Sequence, residues 1–135
     1  MQALLLPVGL EWYAIEITRV RETVASPALT GVPTAPPTLL GVFNLRGEIV
    51  PLFDTAALLG VKPMAVTTHA AVVETALGVA GLAVSAMPQS VELEEAVGLS
   101  EAPGTLASYA LGSRLATLID ADRLLAPARI GGWDS

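Results

Sequence analysis

Apolar and polar residues alternate along much of this chain, as where Tyr13, Ile15 and Ile17 are set against Ala14, Glu16 and Thr18. A side-chain period of two marks a strand with one buried face. Stretches of this kind, each about 5 to 8 residues long and separated by Gly, Pro or Ser, read as strands. They fall near 2–8, 12–17, 20–25, 39–46, 48–53, 69–75, 79–84, 87–93, 106–111 and 114–119. Many short strands without long helical stretches between them predict an all-β fold, a barrel or a sandwich.

Two segments break the pattern, Asp54 to Gly60 and Asp120 to Ala126. Each opens on Asp, whose carboxylate can accept the free N–H groups of a first helical turn, and the first closes on Gly, a common helix stop. Both predict a short helix directly after a strand. They also expose an internal repeat. At an offset of 66, Phe43 meets Tyr109, Ile49 meets Leu115, Leu52 meets Leu118, Asp54 meets Asp120, and Leu58-Leu59 meet Leu124-Leu125. At an offset of 67, Ile15 meets Leu82, Val20 meets Met87 and Val24 meets Val91. A repeated unit of hairpin, capping Asp and short helix implies two similar small barrels with a cleft between them. We expect one domain built of intertwined sub-barrels, roughly 10–66 and 67–126, with exchange of terminal strands.

The chain has 135 residues, enough to bury a core without staples. It has no Cys, which excludes a disulfide framework and a thiolate zinc site and fits an intracellular setting. The net charge of −6, with one Lys and six Arg, argues against a surface that neutralises phosphates, so no nucleic-acid partner is expected. Only six aromatic residues are available for stacking on bases. No apolar run reaches the length of a spanning helix, and the apolar N-terminal stretch follows no basic region, so neither membrane insertion nor a signal peptide is expected. The chain reads as cytoplasmic.

Catalytic chemistry finds little support. The single histidine, His69, stands at the entry to a strand and reads as a surface residue. Asp54, Asp120 and Asp122 could do acid–base work, but helix capping accounts for Asp54 and Asp120 together. Glu92, Glu94, Glu95 and Glu101 read as a solvated edge or loop that blunts edge pairing. Gly78 and Gly81 have no helix behind them with which to cradle a phosphate. No metal site and no cofactor is expected. Arg46 differs: it stands at a turn before Gly47, with Pro51 limiting pairing farther along. It is either a turn charge bridged to Glu48 or a contact residue for a partner.

The run from Leu29 through Gly41, Asn44, Arg46, Gly47 and Pro51 to Asp54 resembles the signature of the CheW family, with the core Asn-Leu-Arg-Gly-x-Ile-Val-Pro the most specific part. The likeness extends upstream over Trp12 to Ile17 and Val20 to Glu22, and downstream over Leu115 to Leu125. It implies two similar five-stranded, Src-homology-like barrels side by side, and a scaffold that couples chemoreceptors to a histidine kinase. By position it implies that Arg46, Val20 and Glu22 face the cytoplasmic tip of a chemoreceptor. The same resemblance implies that Leu29 faces the regulatory domain of the kinase CheA. The alternative is a small-ligand or enzymatic protein that uses the cleft between the barrels.

Overall fold

The computed structural model describes residues 1–127 and consists of two packed sheets. Eleven strands form: β1 (Gln2–Val8), β2 (Glu11–Glu16), β3 (Val20–Ala25), β4 (Leu39–Leu45), β5 (Glu48–Asp54), β6 (His69–Thr75), β7 (Gly78–Val84), β8 (Gln89–Glu92), β9 (Ala96–Leu99), β10 (Thr105–Leu111) and β11 (Arg114–Ile119). A single turn of 3-10 helix, Ile17–Arg19, links β2 to β3, where alternation suggests that strand character continues through Ile17. The helices α1 (Thr55–Leu59) and α2 (Ala121–Leu124) follow β5 and β11. The predicted capping is present. Asp54 accepts from the Ala57 N–H at 3.2 Å, and Asp120 accepts from the N–H groups of Asp122 and Arg123 at 3.0 and 3.3 Å. Replacing Asp120 by Ala is expected to cost about 1 kcal/mol of stability, read by urea unfolding, and to leave partner binding unchanged.

The sheets divide the chain differently from the two halves of the repeat. The five-stranded sheet has the order β3-β6-β7-β5-β4, and the six-stranded sheet β8-β1-β2-β11-β10-β9. The hairpin that opens each half therefore lies in the sheet made by the other half. The registers match residue for residue under the repeat offsets. Leu52 pairs with Gly81 in one sheet and Leu118 with Ala14 in the other; Val24 pairs with Ala70, and Val91 with Ala3.

Burial explains why these hairpins lie at the centre. In β1 and β2, Ala3 and Ala14 face the interior of their own barrel with Leu93 and Leu118, while Leu4, Leu6, Val8, Tyr13 and Ile15 face the other sheet. In β6 and β7, Ala70, Val72 and Ala83 line the other barrel with Phe43, Val50 and Leu52, while Ala71, Val73, Leu82 and Val84 face across. Strands buried on both faces read as nearly continuous apolar runs, as Ala3 to Val8 and Ala70 to Val73 do. The middle of the contact between the barrels is filled by this shared core.

One strand, β9, has no counterpart in the alternating pattern. In the five-stranded sheet, the chain beyond β3 crosses to the far edge and meets β4 at one bridge, with Thr30 N–H to Val42 O at 2.8 Å and Val42 N–H to Thr30 O at 2.9 Å. At the corresponding place in the second sheet, Gly98 pairs with Ser108 and the contact grows into β9. The first segment holds Pro27, Pro33, Pro36 and Pro37, which cannot donate to a ladder, and the second has no proline between Glu94 and Ser100. Ala96 to Leu99, within the acidic stretch read as a solvated edge or loop, is thus an edge strand with exposed side chains.

Candidate functional site

The β4–β5 turn puts Arg46 at φ +52° and Gly47 at φ +90°, a pair of left-handed residues that matches the right-handed twist of the flanking strands. Gly adopts such a conformation freely, whereas an L residue with a side chain is strained there. Asn44 supports the turn by accepting the Gly47 N–H at 2.7 Å. Arginine is therefore not favoured here by the backbone. Its side chain, 69% exposed, reaches Glu22 on β3, and the guanidinium donates to both carboxylate oxygens, through Nη1 at 3.1 Å and through Nη2. The sequence alternative of a bridge to Glu48 is corrected: Glu48 pairs with Arg21 at 2.8 Å, and Arg21 also reaches Glu74 at 3.3 Å.

Glu22 stands opposite Val72 and shares a strand face with Val24, which packs into the barrel interior. Its side chain, 26% exposed, carries charge at the end of that interior, and Arg46 covers it. The hydrogen bonds from Arg46 hold the Glu22 carboxyl below the usual carboxylate range. Val20, two residues earlier, is half-buried against the core shared by the barrels. The structure thus joins Arg46 directly to Glu22 and places Val20 on the same strand.

Leu29 lies elsewhere. It is 44% exposed and borders a hollow of about 240 Å³ with Pro27, Leu52 and His69. His69 opens β6 as expected from its place at a strand end, half-buried, with Nδ1 2.7 Å from the Thr68 hydroxyl. Pro51 limits pairing on one side only. The β4 ladder continues past it to Phe53, whereas pairing with β7 begins at Leu52.

Sequence reading missed a polar latch. Arg19 donates to the Glu74 carbonyl from Nε at 3.1 Å and Nη2 at 2.9 Å, and Nη2 also reaches Asp122 at 2.9 Å. Asp122 in turn accepts the Ala76 N–H at 2.7 Å. This ties the β6–β7 tip to α2, contacts between residues far apart in the chain that no local pattern encodes. The Ala76 N–H and then Arg19 hold the Asp122 carboxyl below its usual range. A carboxyl depressed by folding adds stability that is fully present above its unfolded pKa, about 3.9, and is lost as pH falls through the lower folded value. Asp122→Asn is therefore expected to flatten the acid limb of a stability–pH profile measured by urea unfolding below about pH 4.

No group of three His, Cys, Asp or Glu that could hold a metal is present among the described residues, and no helix among them is long and apolar enough to cross a membrane.

Residues 2–129 match the CheW-like domain family. A chemotaxis protein CheW of Helicobacter pylori is 30% identical over 128 residues, spanning 87% of this chain and 77% of that protein. Another, from Klebsiella aerogenes, is 30% identical over 132 residues, spanning 90% of this chain and 80% of its own length. A probable chemotaxis protein CheW of Rhizobium etli is 41% identical over 56 residues, and this match spans 42% of the chain and 36% of that relative. In fold, the chain is similar to the crystal structure of the scaffolding protein TtCheW from Thermoanaerobacter tengcongensis. The TM-score is 0.79 at 21% identity, covering 93% of this chain and 92% of the other. With its two exchanged hairpins, its capped helices and this match across nearly its whole length, the chain belongs to the CheW-like domain family.

Proposed function

We propose that this protein is a non-catalytic cytoplasmic adaptor that couples the tip of a chemoreceptor to a CheA-type histidine kinase in a chemosensory array. The observation that carries this reading is Arg46, an exposed cation at a left-handed turn position that glycine would fill with less strain. A side chain at odds with its backbone preference points to a role outside the fold. Arg46, Glu22 and Val20 form the surface assigned to the receptor, a helical tip whose apolar stripe and few charges suit such a surface. The exposed Leu29 and its hollow form the surface assigned to the regulatory domain of the kinase.

The alternative of ligand or enzyme chemistry between the barrels is not favoured, because the middle of the contact between them is filled by the shared core. Adaptor work asks only for shape, apolar contact and a few placed charges.

Titration of the purified chain with a receptor cytoplasmic fragment and, separately, with the CheA regulatory domain of the same cell tests the reading. Leu29→Arg is expected to weaken binding to the kinase domain on the order of tenfold or more, by burying a charge against an apolar partner, and to leave receptor binding intact. Unchanged kinase affinity in that variant would remove Leu29 from the interface.

A further inference from the structure

The chain leaves β3 through a strained corner. Ser26 has φ +43°, a left-handed conformation costly for a residue with a side chain, and it directly precedes Pro27, whose ring further disfavours helical backbone there. The corner is nonetheless fixed, because the Ser26 N–H donates to the Thr68 carbonyl at 2.8 Å. Strain held in this way clusters where a segment serves function rather than fold. What the corner presents is Leu29, 44% exposed, beside a hollow of about 240 Å³ that His69 also lines.

His69 is the single histidine of the chain and opens β6, opposite Ala25 of β3 and Val84 of β7. It is half-buried, and beyond the contact of Nδ1 with the Thr68 hydroxyl its ring has no hydrogen-bond partner among the described residues. No charged side chain lines the hollow: Ser26, Thr67 and Thr68 supply hydroxyls, and Pro27, Leu29 and Leu52 the apolar wall. The charged groups on the strands around His69 are engaged elsewhere. Arg21 of β3 bonds Glu48 of β5 and Glu74 of β6, Glu22 of β3 bonds Arg46, and Asp54 of β5 caps α1. β7 has no titratable residue.

Histidine is the side chain that ordinarily changes charge between about pH 5 and pH 8. A protonated ring at the edge of this hollow is hydrated from its open side. Under a partner that water is lost and no carboxylate of this chain replaces it, so cover opposes the charged form. A partner that binds the neutral ring better must lose affinity as the ring takes up its proton.

We propose that His69 belongs to the surface assigned to the kinase and makes that contact pH-dependent, closing on the neutral imidazole and loosening when it is protonated. The inference rests on the kinase-side assignment of Leu29.

The kinase regulatory domain is titrated into the wild-type chain and into His69→Gln at about pH 8 and about pH 5.5, on either side of the ordinary histidine range. From the higher to the lower pH, wild-type affinity is expected to fall at least about threefold more than that of the variant. Ionising groups of the partner act on both chains alike, so the comparison isolates the ring. A second measurement needs no variant. With isotope label in histidine only, one ring signal of the chain titrates, and its midpoint is expected to move to lower pH when unlabelled kinase domain is bound. The proposal is overturned if wild type and variant respond to pH alike, if acid strengthens wild-type binding relative to the variant, or if the ring midpoint does not move. Failure of the underlying assignment reads differently: Leu29→Arg would then bind the kinase domain with unchanged affinity at the higher pH. If Leu29→Arg loses binding while the His69 comparison shows no pH effect, this proposal alone falls.

Discussion

Gly41→Ala is expected to destabilise the protein by about 3 kcal/mol or more and to lower its melting temperature by roughly 10 °C, a large effect for one added methyl group. A Cβ at this position would lie 2.7 Å from the Thr30 carbonyl oxygen and 3.3 Å from its carbon, both backbone atoms, at a φ of +156° that residues with side chains rarely adopt. The Thr30 carbonyl cannot retreat cheaply, because it accepts the Val42 N–H at 2.9 Å, one of two hydrogen bonds that join the edges of the five-stranded sheet. Either the bridge opens or β4 shifts, and β4 carries Phe43 into the barrel core. Leu29 precedes Thr30, so the surface assigned to the kinase is expected to lose affinity along with stability. Urea unfolding and titration with the kinase regulatory domain read both effects. A variant that melts within a degree or two of wild type would show that the Thr30 bridge does not hold the barrel closed.

Arg46→Gly separates fold from function in the opposite sense. The substitution removes the side chain and also relieves the turn, since glycine adopts φ near +50° without the cost of about 1 kcal/mol that other residues bear there. Against this stand the greater freedom of glycine in the unfolded chain and the loss of an exposed ion pair, which water screens. The melting temperature is accordingly expected to stay within a few degrees of wild type. Receptor-fragment binding is expected to fall on the order of tenfold, because a guanidinium offers a planar fork of donors that no other residue at this turn replaces. Binding of the kinase domain is expected to persist. Arg46→Lys is not a rescue, since an ammonium lacks the fork that spans both Glu22 oxygens. If melting collapses together with binding, Arg46 supports the fold; if neither changes, the receptor does not use this surface.

Local chemistry is legible in the order of residues alone. The Asp54 and Asp120 caps, the glycine stop at Gly60 and the hairpins around Arg46-Gly47 and Gly112-Ser113 are decided within a few residues, and the sequence specifies them through side-chain acceptors and turn preferences. Ala3 to Val8 and Ala70 to Val73 also carry a signal that alternation alone does not exploit, namely continuous apolar runs of strands buried on both faces. The position of Arg46 in the motif is readable, but its conformation is not, because a left-handed arginine breaks the preference on which turn prediction relies.

By itself the sequence determined an all-β chain of repeated hairpins and capped helices, together with a motif that points to the CheW-like family. Tertiary structure alone decided which sheet each hairpin joins and that Arg46 meets Glu22 rather than Glu48. The physical reason is separation along the chain. A strand's alternation names its buried face but not its neighbour, and an ion pair between residues 24 apart depends on how the sheet curls to bring β3 under the β4–β5 turn. Those choices are made by the core that both barrels share, where every buried residue selects its partners at once.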